Sequence, residues 1–358
     1  MHLAIDASRS TRPYPTGTER YALELIRALI PRTTSHRVTL YFRDPPPSGL
    51  FPEAPHVTQV VMPQRRLWTH TRLARALYRD RPDVTFVPAH TLPFLMPGRA
   101  VVTVHDLGYL HFPGAHPGRS RRYLDLTTRF SARRAAIVLA DSQATADDLN
   151  TFYGVAPDKI RIVYPGVTAP PQGDRAAVRI KHALPERYFA FVGTLQPRKN
   201  IARLVQAFTQ VRAQHPDLAL VLAGAKGWLY DPAWAEGAPG VRLLGYVSDE
   251  DKGALLAGSV ALAFPSLHEG FGFPVIEAMH AGAPVITSTT SSLPELAGDA
   301  ALLVDPEDTD AIATAMRRVL DDESLRADLA TRGRVQAARF TWDACADAAL
   351  AALLEAAS

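Results

Sequence analysis

Cysteine is the scarcest residue type in this sequence, with Cys345 as its single example. One thiol cannot form an internal disulfide, and it cannot build a thiolate metal cluster. The composition therefore excludes a disulfide-stapled secreted domain and predicts a protein of the reducing cytoplasm. We expect Cys345 to be a packed core residue.

Long apolar runs are also missing. No stretch approaches the roughly 18 consecutive apolar residues of a membrane span, and residues 1–6 carry no basic region ahead of an apolar one. The sequence therefore predicts neither a span nor a signal peptide. Hydrophobic residues at 47% and charged residues at 21% are ordinary for a globular protein. A chain of 358 residues is longer than a single hydrophobic core usually supports, so we expect two domains.

The small net charge of +3 hides an asymmetry between the two halves of the chain. Residues 1–165 contain 22 Lys and Arg against 13 Asp and Glu, a balance of +9, whereas the rest contain 17 against 23, a balance of −6. A basic half attracts anionic partners. A membrane surface, nucleic acid and a phosphorylated acceptor all fit, and an arginine-rich surface without a partner is the alternative.

Residues 119–136 predict a basic amphipathic helix, with arginines around Tyr123, Leu124, Leu126 and Phe130. Such a helix can lie on an anionic leaflet, which makes peripheral membrane contact one interpretation. A solvated helix face is the other.

Strand patterns alternate with helical patterns along the chain, which predicts two parallel, doubly wound α/β sheets. Ligands of such sheets bind beyond the carboxyl ends of the strands. The predicted strands are residues 3–6, 38–42, 57–62, 84–88, 100–104, 137–140 and 160–163, followed by 188–193, 219–223, 241–244, 260–264, 285–287 and 301–304. Three prolines and two glycines within residues 164–173 predict the linker between the two sheets.

The most informative stretch is residues 264–287. An apolar strand runs into a loop that ends at a helix beginning near Pro274. Unpaired N–H groups and the macrodipole at a helix N-terminus favour an anion. Glu269 and Glu277 enclose this turn, and carboxylates on both sides of an anion site suit the hydroxyls of a sugar nucleotide. An ordinary βα turn with surface glutamates is the alternative.

This stretch resembles the signature of the retaining glycosyltransferases of family 4, and the similarity continues through residues 291–299 and 302–306. The resemblance implies the GT-B fold, in which two Rossmann-like domains face a cleft. It implies an acceptor-binding domain at residues 1–167, a nucleotide-sugar-binding domain at 168–340, and a final helix at 341–358 that crosses back to the first domain.

The resemblance also implies roles for the residues of the signature. Glu269 would contact the transferred sugar and Glu277 the ribose of the donor. The donor diphosphate would be bound by the backbone of Gly270, Phe271 and Gly272.

Two other loops carry donor contacts in the family. Arg198 and Lys199 fall where relatives hold the diphosphate, and Arg can bind phosphate bidentately while Lys acts as a point charge. Many relatives have an Arg where this chain has Thr194, so we infer that Arg198 supplies the missing guanidinium. Relatives place a glycine pair near the donor phosphate where this chain has Gly17 alone. Further residues implied in donor binding, around the nucleobase, are Gly224 and Val247.

His105 and Asp106 follow the predicted strand at residues 100–104. Imidazole titrates near neutral pH, so the pair is placed for chemistry, although a loop-capping pair is equally compatible with the pattern. Family members similar over residues 107–113 have a histidine here in the pocket for the acceptor and the donor sugar. The resemblance therefore implies a catalytic His105 and an acceptor-binding Asp106.

Asp308 and Asp310 form a D-x-D pattern that is a metal motif in the other large glycosyltransferase fold. The pattern stands where a helix begins, and acidic residues there cap N–H groups. GT-B enzymes generally need no metal, so we predict a nucleotide-sugar co-substrate and no metal or other cofactor.

The combined pattern looks most like bacterial mannosyltransferases that use GDP-mannose. It implies retaining transfer of a hexose to a glycan or lipid-linked saccharide in polysaccharide biosynthesis, in the cytoplasm or at the inner membrane face, with no nucleic-acid partner. A UDP-sugar-dependent transferase is the nearest alternative. An epimerase or phosphorylase would share the fold, but the first needs no acceptor, and the pyridoxal lysine or phosphate-only donor site of the second is not evident here. A non-catalytic nucleotide-sugar binder is the remaining alternative.

Overall fold

The computed structural model describes residues 1–11, 16–115 and 118–358. The chain folds as two compact units. Unit 1 comprises Met1–Leu110, Pro117–Gly166 and Thr341–Ser358, and unit 2 comprises His111–His116 and Val167–Phe340. Among the described residues, no helix has the length and apolar character needed to cross a lipid bilayer.

The described part of unit 1 contains a parallel sheet of seven strands in the order β3-β2-β1-β4-β5-β6-β7. Its strands are β1 (His2–Asp6), β2 (Arg37–Phe42), β3 (Val57–Val61), β4 (Val84–Val87), β5 (Arg99–Val104), β6 (Ile137–Ala140) and β7 (Ile160–Ile162). Its first helices are α1 (Gly17–Leu29), α2 (Ala74–Asp80), α3 (Gly108–His111), α4 (Gly118–Arg134) and α5 (Gln143–Tyr153). Most central strand residues are buried because helices cover both faces, as the apolar runs predict.

Unit 2 contains a second parallel sheet, which over the described residues has six strands in the order β10-β9-β8-β11-β12-β13. Its strands are β8 (Tyr188–Val192), β9 (Ala219–Ala223), β10 (Val241–Gly245), β11 (Ala261–Phe264), β12 (Val285–Ser288) and β13 (Leu302–Val304). Its helices are α6 (Arg175–Lys181), α7 (Ile201–Arg212), α8 (Asp249–Ala257), α9 (Phe273–His280), α10 (Leu293–Ala297), α11 (Thr309–Asp321) and α12 (Glu323–Ala337). Every predicted strand is present in the two sheets, and no end differs from its prediction by more than one residue.

The order of each sheet reverses beside one strand. In unit 1, β1 lies between β2 and β4, with Leu3 level with Val38 on one side and Val84 on the other. In unit 2, β8 lies between β9 and β11. Ligands of doubly wound sheets bind beyond the carboxyl ends of the strands at such reversals. The loops that follow β1, β4, β8 and β11 are therefore placed for a site.

The last helix, α13 (Trp342–Ala357), packs against unit 1. Cys345 and Leu353 enter the core that also contains Leu25 of α1, so Cys345 is a buried packing residue as expected. Arg32 fixes the start of the helix, since its guanidinium lies 2.8 Å from Asp343 Oδ1 and 2.6 Å from Asp347 Oδ1.

The D-x-D pattern is a helix cap. Asp308 Oδ1 accepts the backbone N–H groups of Asp310 and Ala311, both at 2.9 Å, at the start of α11. The prediction of a capping role is confirmed, because the carboxylate satisfies N–H groups that the helix cannot pair internally.

Helix α4 confirms the prediction of a basic helix and has an unusual buried face. That face is made of small side chains, namely Thr127, Thr128, Ser131 and Ala132. Ser131 Oγ donates to the Thr127 carbonyl at 2.6 Å, so its hydroxyl is satisfied within the helix. The larger apolar side chains Tyr123 and Leu126 remain 49% and 61% exposed.

Candidate active site

The two cations of unit 2 lie on a tight turn after β8. A 3₁₀ turn, Pro197–Lys199, ends at Asn200, whose φ of 60° is in the left-handed region that Asn tolerates better than most residues. The buried Asn200 amide donates to the Pro265 carbonyl at 3.0 Å and the Pro306 carbonyl at 2.6 Å. Asn200 thereby ties the cation-bearing turn to the loops that follow β11 and β13.

This anchoring brings Lys199 against Glu269, 70 residues further along the chain. Lys199 Nζ contacts Glu269 Oε1, and the two side chains are only 9% and 7% exposed. Arg198 Nη1 lies 3.9 Å from the other carboxylate oxygen. Burial alone would raise the pKa of Glu269, but the charges of Lys199 and Arg198 outweigh burial and lower it. Glu269 is therefore an ionised, buried carboxylate beside two cations.

Serine side chains hold the Glu269 loop in place. Ser266 Oγ lies 2.5 Å from Glu269 Oε1. The Glu269 N–H donates to Ser291 Oγ at 2.9 Å, and Ser292 Oγ donates to the Glu269 carbonyl at 3.0 Å. Sequence reasoning did not assign these serines, although residues 291 and 292 lie in the segment that carries the family resemblance.

Two glycines are required where the donor contacts were predicted. Gly224 has φ +153°, and a Cβ there would lie 2.0 Å from the Gly193 carbonyl oxygen. That oxygen belongs to the backbone and cannot move aside as the end of a side chain can. Gly272 caps α9 with φ +125°, and a Cβ would lie 2.9 Å from Leu293. Any other residue would disturb the approach of β8 to β9 or the start of α9.

The remaining donor-site predictions fall on different kinds of position. Phe271 is buried in the core of unit 2 with its ring edge against Phe273 and Phe340, so only its backbone can face a ligand. Thr194 is exposed after β8, and Val247 is half-buried after β10. The Val247 side chain packs against the core of unit 2, and no contact among the described residues assigns a role to that of Thr194.

Glu277 has a partner that sequence reasoning missed. Lys252 Nζ of α8 lies 2.6 Å from Glu277 Oε1 on α9 and 3.0 Å from Asp249 Oδ1. The side chains of Lys252 and Glu277 are 11% and 8% exposed. A nearly buried lysine therefore fixes the carboxylate that the resemblance assigns to the donor ribose.

In unit 1, His105 stands at the carboxyl end of β5 in a buried polar cluster. Its Nδ1 lies 2.7 Å from Asp141 Oδ2, which follows β6, and its Nε2 lies 3.3 Å from the Pro88 carbonyl, which follows β4. The ring meets Tyr21 of α1 edge-on at 4.8 Å. Burial alone would lower the pKa of His105, but the charge and hydrogen bond of Asp141 outweigh burial and raise it. Both ring nitrogens face oxygen acceptors, so the protonated, positively charged ring is favoured. His105 is therefore not suited to act as a general base.

His90 is a second histidine of this cluster, and sequence reasoning did not single it out. Its ring lies 5.2 Å from that of His105. Burial and the His105 charge lower the pKa of His90 to about 3, so it is neutral at physiological pH. Its Nδ1 has no hydrogen-bond partner among the described residues. An unsatisfied buried nitrogen favours a ligand hydroxyl there.

Asp106 and Gly17 occupy structural positions in unit 1. Asp106 Oδ1 accepts the Gly108 N–H at 2.9 Å, which caps the short helix α3. Gly17 is the first residue of α1, behind a capping box formed by Thr16 and Glu19. The loop-capping interpretation of Asp106 is thus confirmed, and its contact with an acceptor stays a prediction.

Comparison with known proteins identifies the family. Residues 15–169 match the family model described as Glycosyltransferase Family 4, and residues 174–336 match Glycosyl transferases group 1. The O-antigen chain mannosyltransferase B of Escherichia coli is 32% identical over 370 residues, which cover 93% of this chain and 94% of that protein. The chain belongs to glycosyltransferase family 4.

Solved structures show that this glycosyltransferase has the GT-B fold. Sucrose-phosphate synthase from Thermosynechococcus elongatus aligns over 100% of both chains with a TM-score of 0.77 and 22% identity. The Anabaena protein HepE, solved with UDP and glucose, aligns over 99% of both chains with a TM-score of 0.72 and 16% identity. The prediction of two Rossmann-like domains is confirmed.

Proposed function

We propose that this glycosyltransferase moves mannose from GDP-mannose to a saccharide acceptor, either a growing glycan or a lipid-linked saccharide, with retention at the anomeric carbon. The name of the Escherichia coli relative, an O-antigen chain mannosyltransferase, supports mannose as the sugar and a polysaccharide as the product. One structural observation carries the proposal. It is the buried contact of Lys199 with Glu269, with Arg198 beside it.

The cations of unit 2 would bind the donor diphosphate. Arg198 and Lys199 would contact its oxygens together with the N-terminal N–H groups of α9 behind Gly272. As the bond to the sugar breaks, negative charge develops on the leaving diphosphate. Fixed cations in a site with little water stabilise that charge, and such electrostatic stabilisation usually contributes most to the rate enhancement.

Carboxylates and backbone would hold the rest of the donor. Glu269, kept ionised by Lys199, accepts hydrogen bonds from the sugar hydroxyls. Glu277, fixed by Lys252, accepts them from the ribose. The close backbone at Gly224 and the segment around Val247 would border the nucleobase. Lys252 is then a positioning residue, because it acts through Glu277.

We infer that retention arises by attack on the same face that the diphosphate leaves. Double displacement needs a carboxylate nucleophile on the opposite face of the sugar. Glu269 is engaged by Lys199 and Ser266, which does not suit it to that role. A donor phosphate oxygen would take the acceptor's proton. His105 would contribute charge, and Asp106 would contact the acceptor. No metal ion or other cofactor is required by this scheme.

A UDP-sugar donor is the second candidate. HepE, whose structure contains UDP and glucose, shares the fold of both units at 16% identity. The nucleobase would be bordered largely by backbone, as the family resemblance implies, and small changes in such a pocket alter donor choice.

The test is turnover with a panel of GDP- and UDP-sugars. Nucleotide release is measured with and without mannose-terminated oligosaccharides, and the anomeric configuration of the product is read by NMR. With acceptor present, nucleotide release should be fastest from GDP-mannose. Without acceptor, release from GDP-mannose should be slow. Glu269→Gln should lose most of this activity, whereas Glu236→Gln, which alters an exposed ion pair of the same unit, should not. Equal rates for Glu269→Gln and the unchanged protein would reject the assignment, and slow hydrolysis that no acceptor accelerates would favour a non-catalytic binder.

We also propose that the enzyme works in the cytoplasm at the inner membrane face, with no nucleic-acid partner. The single cysteine suits a reducing compartment. Helix α4 combines arginines with exposed Tyr123 and Leu126, a pattern that favours an anionic leaflet. Co-sedimentation with phosphatidylglycerol vesicles at low salt should recover the protein, and neutral vesicles should not. Binding unaffected by Leu126→Ser would contradict the role of α4.

A further inference from the structure

A cavity of about 180 Å³ in unit 1 has no role in the proposed reaction. It lies beyond the carboxyl ends of β1, β2 and β3, because its walls come from Ser8 and Arg9, from Arg43, and from Arg65 and residues 67–70. Tyr123 of α4 closes one side. A water molecule's share of liquid volume is about 30 Å³, so a phosphate group fits with water beside it.

The charged groups that line the cavity are all cations. Arg9, Arg43 and Arg65 line it, and no carboxylate does so among the described residues. Arg9 pairs with Glu19 at 3.3 Å and Arg43 with Asp44 at 2.8 Å. Both arginines are partly exposed, and such pairs hold their partners weakly.

Arg65 adds a cation that has no counterion in the part of the chain that the structure describes. It is exposed, and no described acidic side chain forms an ion pair with it. The loop that carries it is nevertheless fixed, because the Trp68 indole donates to the Met62 carbonyl at 2.8 Å and Gln64 Nε2 donates to Thr71 Oγ1 at 2.7 Å. The cavity therefore has a net positive charge on a fixed frame.

Neutral donors complete the lining. The Phe94 N–H donates to His70 Nδ1 at 3.4 Å, which leaves the His70 proton on Nε2, 3.3 Å from the Tyr123 hydroxyl. Burial lowers the pKa of His70, so the ring is neutral at physiological pH. When His70 Nε2 donates to the Tyr123 oxygen, the tyrosine proton is available to a ligand in the cavity.

We propose that this cavity, with Arg9, Arg43 and Arg65, binds a phosphate group carried by the acceptor. Three guanidinium groups suit a phosphate because each presents several N–H donors in a plane, and a hydroxyl donor beside them adds a further contact. The proposal rests on the proposed function, because it gives the acceptor of that reaction a chemical class.

The position of the cavity agrees with an acceptor role. Arg9 follows β1 and His90 follows β4, and these strands are neighbours in the sheet, so the cavity and the His90 and His105 cluster lie at the same edge of the sheet. An acceptor anchored by its phosphate in the cavity could thus extend a hydroxyl toward that cluster. Leu67 and Tyr123, which line the cavity, are 65% and 49% exposed and offer apolar surface to the part of the acceptor beyond its phosphate.

The test is calorimetric titration with inorganic phosphate of protein saturated with GDP, and separately with UDP, so that the donor site is occupied. Arg43→Gln and Arg65→Gln are the test variants. Arg66→Gln is the matched control, because Arg66 is the exposed neighbour that does not line the cavity. The same titration in a Lys199→Met background excludes phosphate that binds in unit 2.

Phosphate should bind in the saturated protein and in the Lys199→Met background. Each test variant should weaken binding by about tenfold, equal to about 1.4 kcal/mol, and the control should not. No binding in the saturated protein, or equal binding in the test and control variants, would overturn the proposal. If the protein does not turn over GDP-mannose but still binds phosphate in a way that depends on these arginines, the proposed function is wrong and the cavity remains an anion site.

A second arm distinguishes the source of the phosphate. A hexose 1-phosphate that competes with inorganic phosphate, where the neutral hexose does not, identifies a soluble phosphorylated acceptor. Phosphatidylglycerol vesicles that compete when phosphatidylcholine vesicles do not identify a lipid phosphate. In both cases Arg65→Gln should weaken the binding of the competitor by about tenfold, and competition of unchanged strength in this variant counts against the cavity.

Discussion

Replacing Lys199 by Met should destabilise unit 2 and weaken the donor site together. The substitution removes a buried cation but keeps a long side chain over Phe264, whose ring centroid lies 4.9 Å from Nζ. Removing one partner of a buried ion pair typically costs about 3–5 kcal/mol, since the other charge is left uncompensated. Arg198 remains 3.9 Å from Glu269, so we expect the lower end, about 3 kcal/mol.

Differential scanning calorimetry measures this cost. For a unit of this size, about 3 kcal/mol corresponds to a fall of roughly 6–12 °C in Tm. Lys226→Met is the matched control, because Lys226 pairs with Glu236 at 2.6 Å in the same unit with both side chains exposed. Its Tm should hardly change. A Tm for Lys199→Met as high as that for Lys226→Met would refute the buried ion pair.

The same variant should also change the pH dependence of activity. In the unchanged protein the pKa of Glu269 lies below its ordinary value, so the carboxylate contributes stability that is present above pH 4.5 and lost as the pH falls through the lowered pKa. Without Lys199, burial is opposed by Arg198 and the Ser266 hydrogen bond alone, and the pKa of Glu269 rises. The acid limb of kcat/KM should therefore move to higher pH in Lys199→Met. An acid limb that does not move would contradict the role of Glu269.

Three further substitutions test other parts of the account. Lys252→Met should raise KM for the donor several-fold with little change in kcat, since it loosens only the carboxylate of Glu277; a fall in kcat alone would contradict a positioning role. Asp141→Asn should lower the pKa of His105, because burial is then opposed only by the Pro88 carbonyl and the charge of Asp106, so the basic limb of kcat/KM should move to lower pH; an unchanged limb would contradict the role given to the His105 charge. Asp308→Ala should cost about 1 kcal/mol of unfolding free energy by loss of a helix cap and leave activity unchanged with or without EDTA, whereas EDTA-sensitive loss would revive the metal motif.

The strands and the loops that follow them could be predicted from the sequence because the patterns that indicate them are local. Apolar runs marked each strand, and Glu269 and His105 each lie in the loop after one, although the family resemblance was needed to prefer a functional role for them over an ordinary loop. The contact of Lys199 with Glu269 joins residues 70 apart and depends on β8 lying beside β11. Local patterns do not encode that neighbourhood, so only the family resemblance suggested it.

The residues that sequence reasoning missed owe their roles to sheet order and helix packing. Asp141 and His90 follow β6 and β4, whose ends meet that of β5 only because these three strands are neighbours. His90 could have been flagged, since it stands two residues beyond the predicted strand at residues 84–88. Lys252 had no such signal, because it lies within α8 and meets Glu277 only through the packing of α8 on α9.

The most direct test of the central claim is a calorimetric comparison of GDP with guanosine. If Arg198 and Lys199 bind the diphosphate, Arg198→Met should weaken GDP binding by about 10- to 100-fold, the range for a hydrogen bond to a charged group. Guanosine, which lacks the diphosphate, should bind the variant and the unchanged protein equally. GDP affinity that is unchanged in Arg198→Met, or a loss that is equal for guanosine, would contradict the claim that these cations bind the donor diphosphate.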